Sequence, residues 1–195
     1  MSKGVRKLGN KYKTVESLLS RYRGEGPIRC FWPTRIKENV EKFRTLFRGK
    51  VVYAVKCNPD DAVLESLKAG GINDFDVASI GEIKYIHDWQ PNTRLYFQHP
   101  IKSRSSIESA YADYGVRDFA VDHSDELDKL FGLLPNDEQV TVYVRIATPK
   151  LGAIEDLSTK FGASIEQMVA LAFLMPIVAS MGGNAGMQTL AVTVR

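Results

Sequence analysis

Between residues 51 and 147 the sequence changes its hydrophobic period again and again, and few folds accept that pattern. Short runs rich in β-branched and aromatic residues, Val51–Val55, Asp74–Ser79, Arg94–Gln98, Asp118–Val121 and Val140–Ala147, read as strands. Between them lie segments with apolar residues at helical spacing. Asp61–Ala69 carries Val63, Leu64 and Leu67 and ends at Gly70-Gly71; Ser79-Ile80-Gly81-Glu82 forms a capping box that opens a helix; Ser103–Tyr114 and Ser124–Phe131 follow, the last with Ser124 as its expected N-cap. Strand and helix recur every 20 to 30 residues or so, the signature of βαβ units and a parallel sheet. A closed barrel of such units needs eight strands and about 250 residues. Five strands counted from Val51 amount to part of one, so the expected fold is α/β, an incomplete (β/α)8 TIM-like barrel.

Upstream, Tyr12–Tyr22 reads as an amphipathic helix, Ile28–Trp32 as a strand and Thr34–Phe47 as a helix with Ile36, Val40, Phe43 and Phe47 on one face. A net charge of +3 with no basic stripe gives no case for nucleic acid. Met1–Lys13 is polar and basic without an apolar core, which is not the pattern of a signal peptide. Cys30 and Cys57 lack the spacing of a zinc site and fit reduced thiols. His87, His99 and His123 have no metal-ligand spacing and read as surface or loop residues, so no metal site is expected.

The chemistry is expected at Val51-Val52-Tyr53-Ala54-Val55-Lys56-Cys57-Asn58-Pro59. Alternation along a strand puts Val52, Ala54 and Lys56 on one face. Lys56 then stands at the carboxyl end of a buried strand, where parallel sheets and barrels place their reactive groups. A desolvated lysine has a lowered pKa and forms Schiff bases with carbonyls. The competing reading is a strand-end lysine that reaches to water.

The wording around Lys56, Tyr-Ala-Val-Lys-Cys-Asn-Pro with an acidic pair, closely resembles the cofactor-lysine segment of ornithine decarboxylases, members of the barrel-type pyridoxal-phosphate (PLP) enzymes that include diaminopimelate and arginine decarboxylases. The resemblance covers roughly residues 10–164. It implies that Lys56 holds PLP as a Schiff base and that Asp76, in Phe75-Asp76-Val77-Ala78-Ser79, is a catalytic carboxylate beside it. Asp76 otherwise reads as a turn or cap residue. Glu82 matches a family glutamate near the cofactor, with the capping box as its other reading, and Arg145, in Val144-Arg145-Ile146-Ala147-Thr148, matches a strand-end arginine of the cofactor site. A charge inside an apolar strand is costly unless paired. Lys160-Phe161-Gly162-Ala163 matches a substrate-side loop. What the resemblance implies is decarboxylation of an ornithine-like amino acid to putrescine in polyamine biosynthesis, in the cytoplasm, by a homodimer when the barrel is complete. The histidine over the cofactor ring, the glycine-rich phosphate loop, the carboxylate at the pyridine nitrogen and the β domain have no counterpart here, so activity is not expected of this chain by itself.

From Gln167 to Val194 there is no charged residue. Met168–Met181 is nearly all apolar, and Gly182-Gly183-Asn184-Ala185-Gly186 follows. Residues 168–195 resemble a membrane segment of MgtE-type magnesium transporters. Two domains are therefore expected, 1–166 and 167–195, the second a short apolar helical tail offered either to a bilayer or to a soluble core; fragments of two proteins fused without a function of their own are the further alternative. Deleting residues 168–195 is expected to make the rest more soluble.

Overall fold

The structure is a computed structural model that describes residues 12–135, 139–147, 160–181 and 191–193, of which 174–181 and 191–193 as backbone. The expectations for Met1–Lys11, Thr148 and the Gly182–Gly186 stretch lie outside the described residues. The chain divides into two compact units, one up to Trp32 and one from Pro33.

Among the described residues of the first unit there is one helix, α1 (Val15–Leu19), shorter than expected. Thr14 Oγ1 accepts the Ser17 N–H (3.1 Å), and Ser17 Oγ lies within reach of the Thr14 N–H (3.3 Å), a reciprocal cap that sets where the helix begins. Ile28–Trp32 is not a strand, and Arg29, Cys30, Phe31 and Trp32 are exposed. Its composition suits a sheet, but none of the ladders among the described residues includes it, and a strand without a partner leaves its backbone groups to water.

The second unit opens with α2 (Pro33–Leu46), with proline as the first helical residue, where its missing N–H costs nothing. Then follow β1 (Tyr53–Ala54), α3 (Asp61–Ala69), β2 (Asp74–Val77), α4 (Ile80–Trp89), β3 (Arg94–Phe97), α5 (Arg104–Ala112), β4 (Asp118–Val121), α6 (Ser124–Leu133), β5 (Thr141–Arg145), α7 (Ile165–Met181) and β6 (Ala191–Thr193). All five ladders are parallel, and the strands lie in sequence order from β1 to β6. A doubly wound sheet would reverse its order midway; an unbroken order is that of a (β/α) barrel.

Local chemistry fixes the element ends. Asp60 caps α3, accepting the Ala62 N–H at 2.9 Å. The far end of α3 is a Schellman motif: Ile72 N–H bonds Leu67 C=O (3.1 Å), Gly71 N–H bonds Lys68 C=O (2.8 Å), and Gly71 has φ +93°. The N-cap of α6 is His123 rather than Ser124: its Nδ1 accepts the Asp125 N–H at 3.2 Å. The outer face of the sheet, with Phe75, Val77, Phe97, Phe119, Val121 and Val144, packs against Leu64, Ile83, Ile86, Ile107, Leu127 and Leu130 of the helices, all nearly or fully buried.

Two departures bear on function. The expected buried strand Val51–Val55 shrinks to Tyr53–Ala54, half-buried, and the chain turns into a single 3-10 turn, Val55–Cys57, that leaves Lys56 exposed. The backbone must leave the sheet here to reach Asp60 and start α3. The apolar tail joins the sheet. Helix α7 runs across residue 166 without a break; Leu171 is buried and Met168 packs on the core. β6 then pairs with β5 through Tyr143–Ala191, Val144–Val192 and Arg145–Thr193, a sixth strand where five were expected. At 17 residues, α7 is about 25 Å long, short of a bilayer core of about 30 Å. No helix among the described residues is long and apolar enough to cross a membrane.

Candidate functional site

Register decides which side chains share the inner face. Ala54 pairs with Asp76, Asp76 with Tyr96, Tyr96 with Asp118 and Asp118 with Thr141, so these residues form one row. Paired residues of a parallel ladder point the same way. Asp74, Asp76, Tyr96, Asp118, Tyr143 and Arg145 therefore lie on the face opposite the helices.

The lower part of this face is a polar network. Tyr96 Oη donates to Asp74 (2.7 Å) and Lys50 Nζ lies 3.1 Å from the same carboxylate. Arg94 binds Asp118 with two bonds of 2.9 Å, and Tyr143 Oη donates to Asp118 at 2.8 Å. Burial first, and the carboxylate partner second, push the Tyr96 and Tyr143 phenols well above their usual range. These groups satisfy one another and tie β2, β3, β4 and β5 together.

The candidate site is the carboxyl end of the sheet. Lys56 emerges just beyond β1, and Asp76 stands on β2 beside Ala54, two residues earlier in the chain than Lys56. Asp76 and Arg145 are half-buried. Glu82 accepts the Ala78 N–H at 2.8 Å while Ser79 Oγ accepts the Glu82 N–H at 3.2 Å. Its carboxylate thus helps cap α4 directly beyond the Asp76 strand.

Arg145, the last residue of β5, shares its corner with a second segment. Its guanidinium carbon sits 5.1 Å from the Phe161 ring centre, and the His99 ring meets the other side of that corner edge-on at 5.6 Å. Ala163 bridges to Ile146, and the Ala163 N–H bonds Arg145 C=O at 2.8 Å. Gly162 has φ +114°, and a Cβ there would lie 2.6 Å from Ala147 N. Asp122, beyond β4, accepts the Gly162 N–H at 3.0 Å. The Lys160–Ala163 segment is therefore seated over the ends of β3, β4 and β5.

Sequence reading left Asp122 and Lys102 without a role. Asp122 had a signal, since it ends a strand on the side where sheets of this kind do chemistry. Lys102 had none: its side chain is fully buried, with Nζ 2.6 Å from Ala120 C=O, 3.0 Å from His99 C=O and 3.0 Å from Glu126. Desolvation pulls the Lys102 pKa down, against the opposing pull of Glu126. This cluster holds the His99–Ile101 turn against β4 and α6.

Residues 34–177 match the family described as pyridoxal-dependent decarboxylase, pyridoxal binding domain. The chain belongs to this family, and pyridoxal phosphate is the cofactor that such a domain binds. The match includes the opening of the apolar segment. The chain is 38% identical over 139 residues to a lysine/ornithine decarboxylase of Selenomonas ruminantium, across 70% of this chain and 34% of that one. It is 37% identical over 120 residues to an ornithine decarboxylase of Neurospora crassa, across 61% of this chain and 24% of that one. The crystal structure of the Paramecium bursaria Chlorella virus arginine decarboxylase superposes with a TM-score of 0.67 at 30% identity, across 75% of this chain and 39% of that one. This chain thus spans 24% to 34% of the length of these two curated relatives.

Proposed function

We propose that this chain is the cofactor-lysine part of a PLP-dependent decarboxylase acting on a basic amino acid of the ornithine type, with Lys56 as the residue that carries the cofactor. The observation behind this reading is the placing of Lys56, on the turn directly after β1, and Asp76, on the adjacent strand β2, at the carboxyl end of a parallel sheet whose order is that of a barrel. The donor set fits the group: an accessible primary amine for the cofactor's carbonyl carbon, and on the next strand a carboxylate to balance positive charge. When bound, PLP supplies the electron sink for the charge left on the substrate carbon as carbon dioxide departs.

The chain's own residues have separable tasks in this reading. Lys56 attaches the cofactor and Asp76 holds a negative charge beside that attachment. Glu82 fixes the turn after Asp76 through the Ala78 N–H. Arg145 presents a cation at the far side of the same sheet end, its guanidinium kept against Phe161. Magnesium transport gains no support from the described residues, because the segment that suggested it supplies α7 and β6 of this sheet.

Incubation with PLP, borohydride reduction and peptide mapping test the reading. The expected result is label concentrated on Lys56 and lost in Lys56→Ala. Label spread evenly over surface lysines would overturn it.

A further inference from the structure

The turn that follows Lys56 is gripped from two sides by tyrosine hydroxyls. Tyr53 Oη donates to Asn58 C=O at 3.1 Å. Tyr85, on α4, places its Oη 2.5 Å from Asp61 Oδ1 and 2.8 Å from Pro59 C=O. Within the turn, Asn58 Oδ1 accepts the Asp60 N–H at 3.1 Å, and Pro59 fixes its own φ. A second bond binds the same two helices: Trp89 Nε1 donates to Glu65 at 2.9 Å.

We propose that Tyr85, with Tyr53, is a positioning residue for Lys56. The inference rests on the reading of Lys56 as the cofactor lysine. Lys56 is exposed on a single 3-10 turn, so the aim of its amine is set by where that turn is held. Tyr85 holds it from the helix that begins directly after the Asp76 strand. The two candidate residues are thereby fixed relative to each other through α4 as well as through the β1–β2 ladder. The hydrogen bond to Asp61 raises the Tyr85 pKa to about 12, which tightens the hold of that hydroxyl on its proton. Neither tyrosine touches the amine itself; Tyr53 acts through the Asn58 C=O, and Tyr85 through the Pro59 C=O and the Asp61 carboxylate.

The test compares the 195-residue chain with Tyr85→Phe, Tyr53→Phe, Asp61→Asn and Lys56→Ala. PLP titration, borohydride labelling and amide hydrogen exchange of residues 57–63 are read on each. Tyr85 is 38% exposed, so water competes for its bond; its loss should raise the half-saturating PLP concentration about three- to tenfold, with label shifting from Lys56 to other lysines. Exchange at Asp60–Val63 should quicken by a similar factor while β3, β4 and β5 stay unchanged. Tyr53→Phe should act in the same direction, and Asp61→Asn, which keeps an acceptor for Tyr85, should fall between wild type and Tyr85→Phe. A wild-type chain labelled at Lys56 and a Tyr85→Phe chain that matches it in half-saturation would overturn the clamp alone. A wild-type chain that takes no label at Lys56 would overturn the functional reading, and this role with it.

Discussion

Glu126→Gln should cost this fold more than any exposed charge. Glu126 Oε1 lies 3.0 Å from Lys102 Nζ and accepts the Lys102 N–H at 3.1 Å; its other oxygen meets Lys129 Nζ. The Lys102 side chain is 0% exposed and that of Glu126 7%, so neither charge is screened by water. Glutamine keeps an acceptor for the Lys102 N–H but leaves two lysines facing an uncharged group. Removing one partner of a buried pair costs about 3–5 kcal/mol. For a chain of this length that is a fall in Tm of about 6–20 °C. The pH dependence gives a second signature. Without Glu126 the largest pull against the desolvation of Lys102 is gone, leaving only Asp122 to oppose it, so its folded-state pKa falls further below the unfolded lysine value of about 10.4. In the interval between those two pKa values the folded variant binds fewer protons than the unfolded chain, and its stability rises with pH. The deficit against wild type should therefore be larger at pH 6 than at pH 9, read by urea melts at both. A deficit near 1 kcal/mol or less, or one that grows with pH, would refute the buried-pair reasoning.

Gly162→Ala should destabilise by about 2–5 kcal/mol in urea melts, because φ +114° strains any side chain and the new Cβ meets Ala147 N. Asp122→Ala loosens the same segment, so the two losses should not add. Above about pH 10, where unfolded tyrosines ionise, stability should fall, because Tyr85, Tyr96 and Tyr143 keep their protons longer when folded; the unfolded chain then binds fewer protons, and melts from pH 8 to 11 with tyrosinate absorbance read this. Deleting residues 168–195 should now lower solubility, the reverse of the sequence expectation. It removes Leu171 from the core and strips β6 from β5, leaving a bare edge, and sedimentation of the two chains decides the matter.

Elements whose ends are written in local chemistry were legible. The bounds of α3 and β4 coincide with the sequence reading, because Asp60 and Gly70-Gly71 mark one, and a short apolar run between turns marks the other. Where a competing local rule wins, the reading slips by a residue or more. Ser124 has the commoner N-cap side chain, yet His123 makes the bond. The Val51–Val55 run has strand composition throughout, but the demand to reach the α3 cap bends Val55–Cys57 out of the sheet. For the apolar tail, composition alone left lipid and a protein core as equal sinks; the core was invisible until the edge of β5 was in view, since pairing across a sheet is set by residues far away in sequence.

The candidate site divides along the same line. Lys56 came forward from period-2 alternation and the rule that parallel sheets react at their carboxyl ends, with a lysine reaching to water as the competing reading, whereas Asp76 and Arg145 came forward only through the family resemblance of the wording around them. What holds them was not legible. Tyr85 reaches Asp61 across 24 residues, Lys102 reaches Glu126 across 24, and Asp122 reaches Gly162 across 40. Two of these three ties join one βα unit to the next, and the third ties the end of β4 to the segment bridged to β5. They exist only once adjacent strands lie in parallel register, which brings residues about one repeat apart to the same level. In a chain of repeated βα units, the groups that hold a candidate site residue are therefore spread one repeat up or down the sequence. The supporting residues of such a site are then best sought at that offset from the reactive ones, which is how Tyr85 stands to the turn after Lys56.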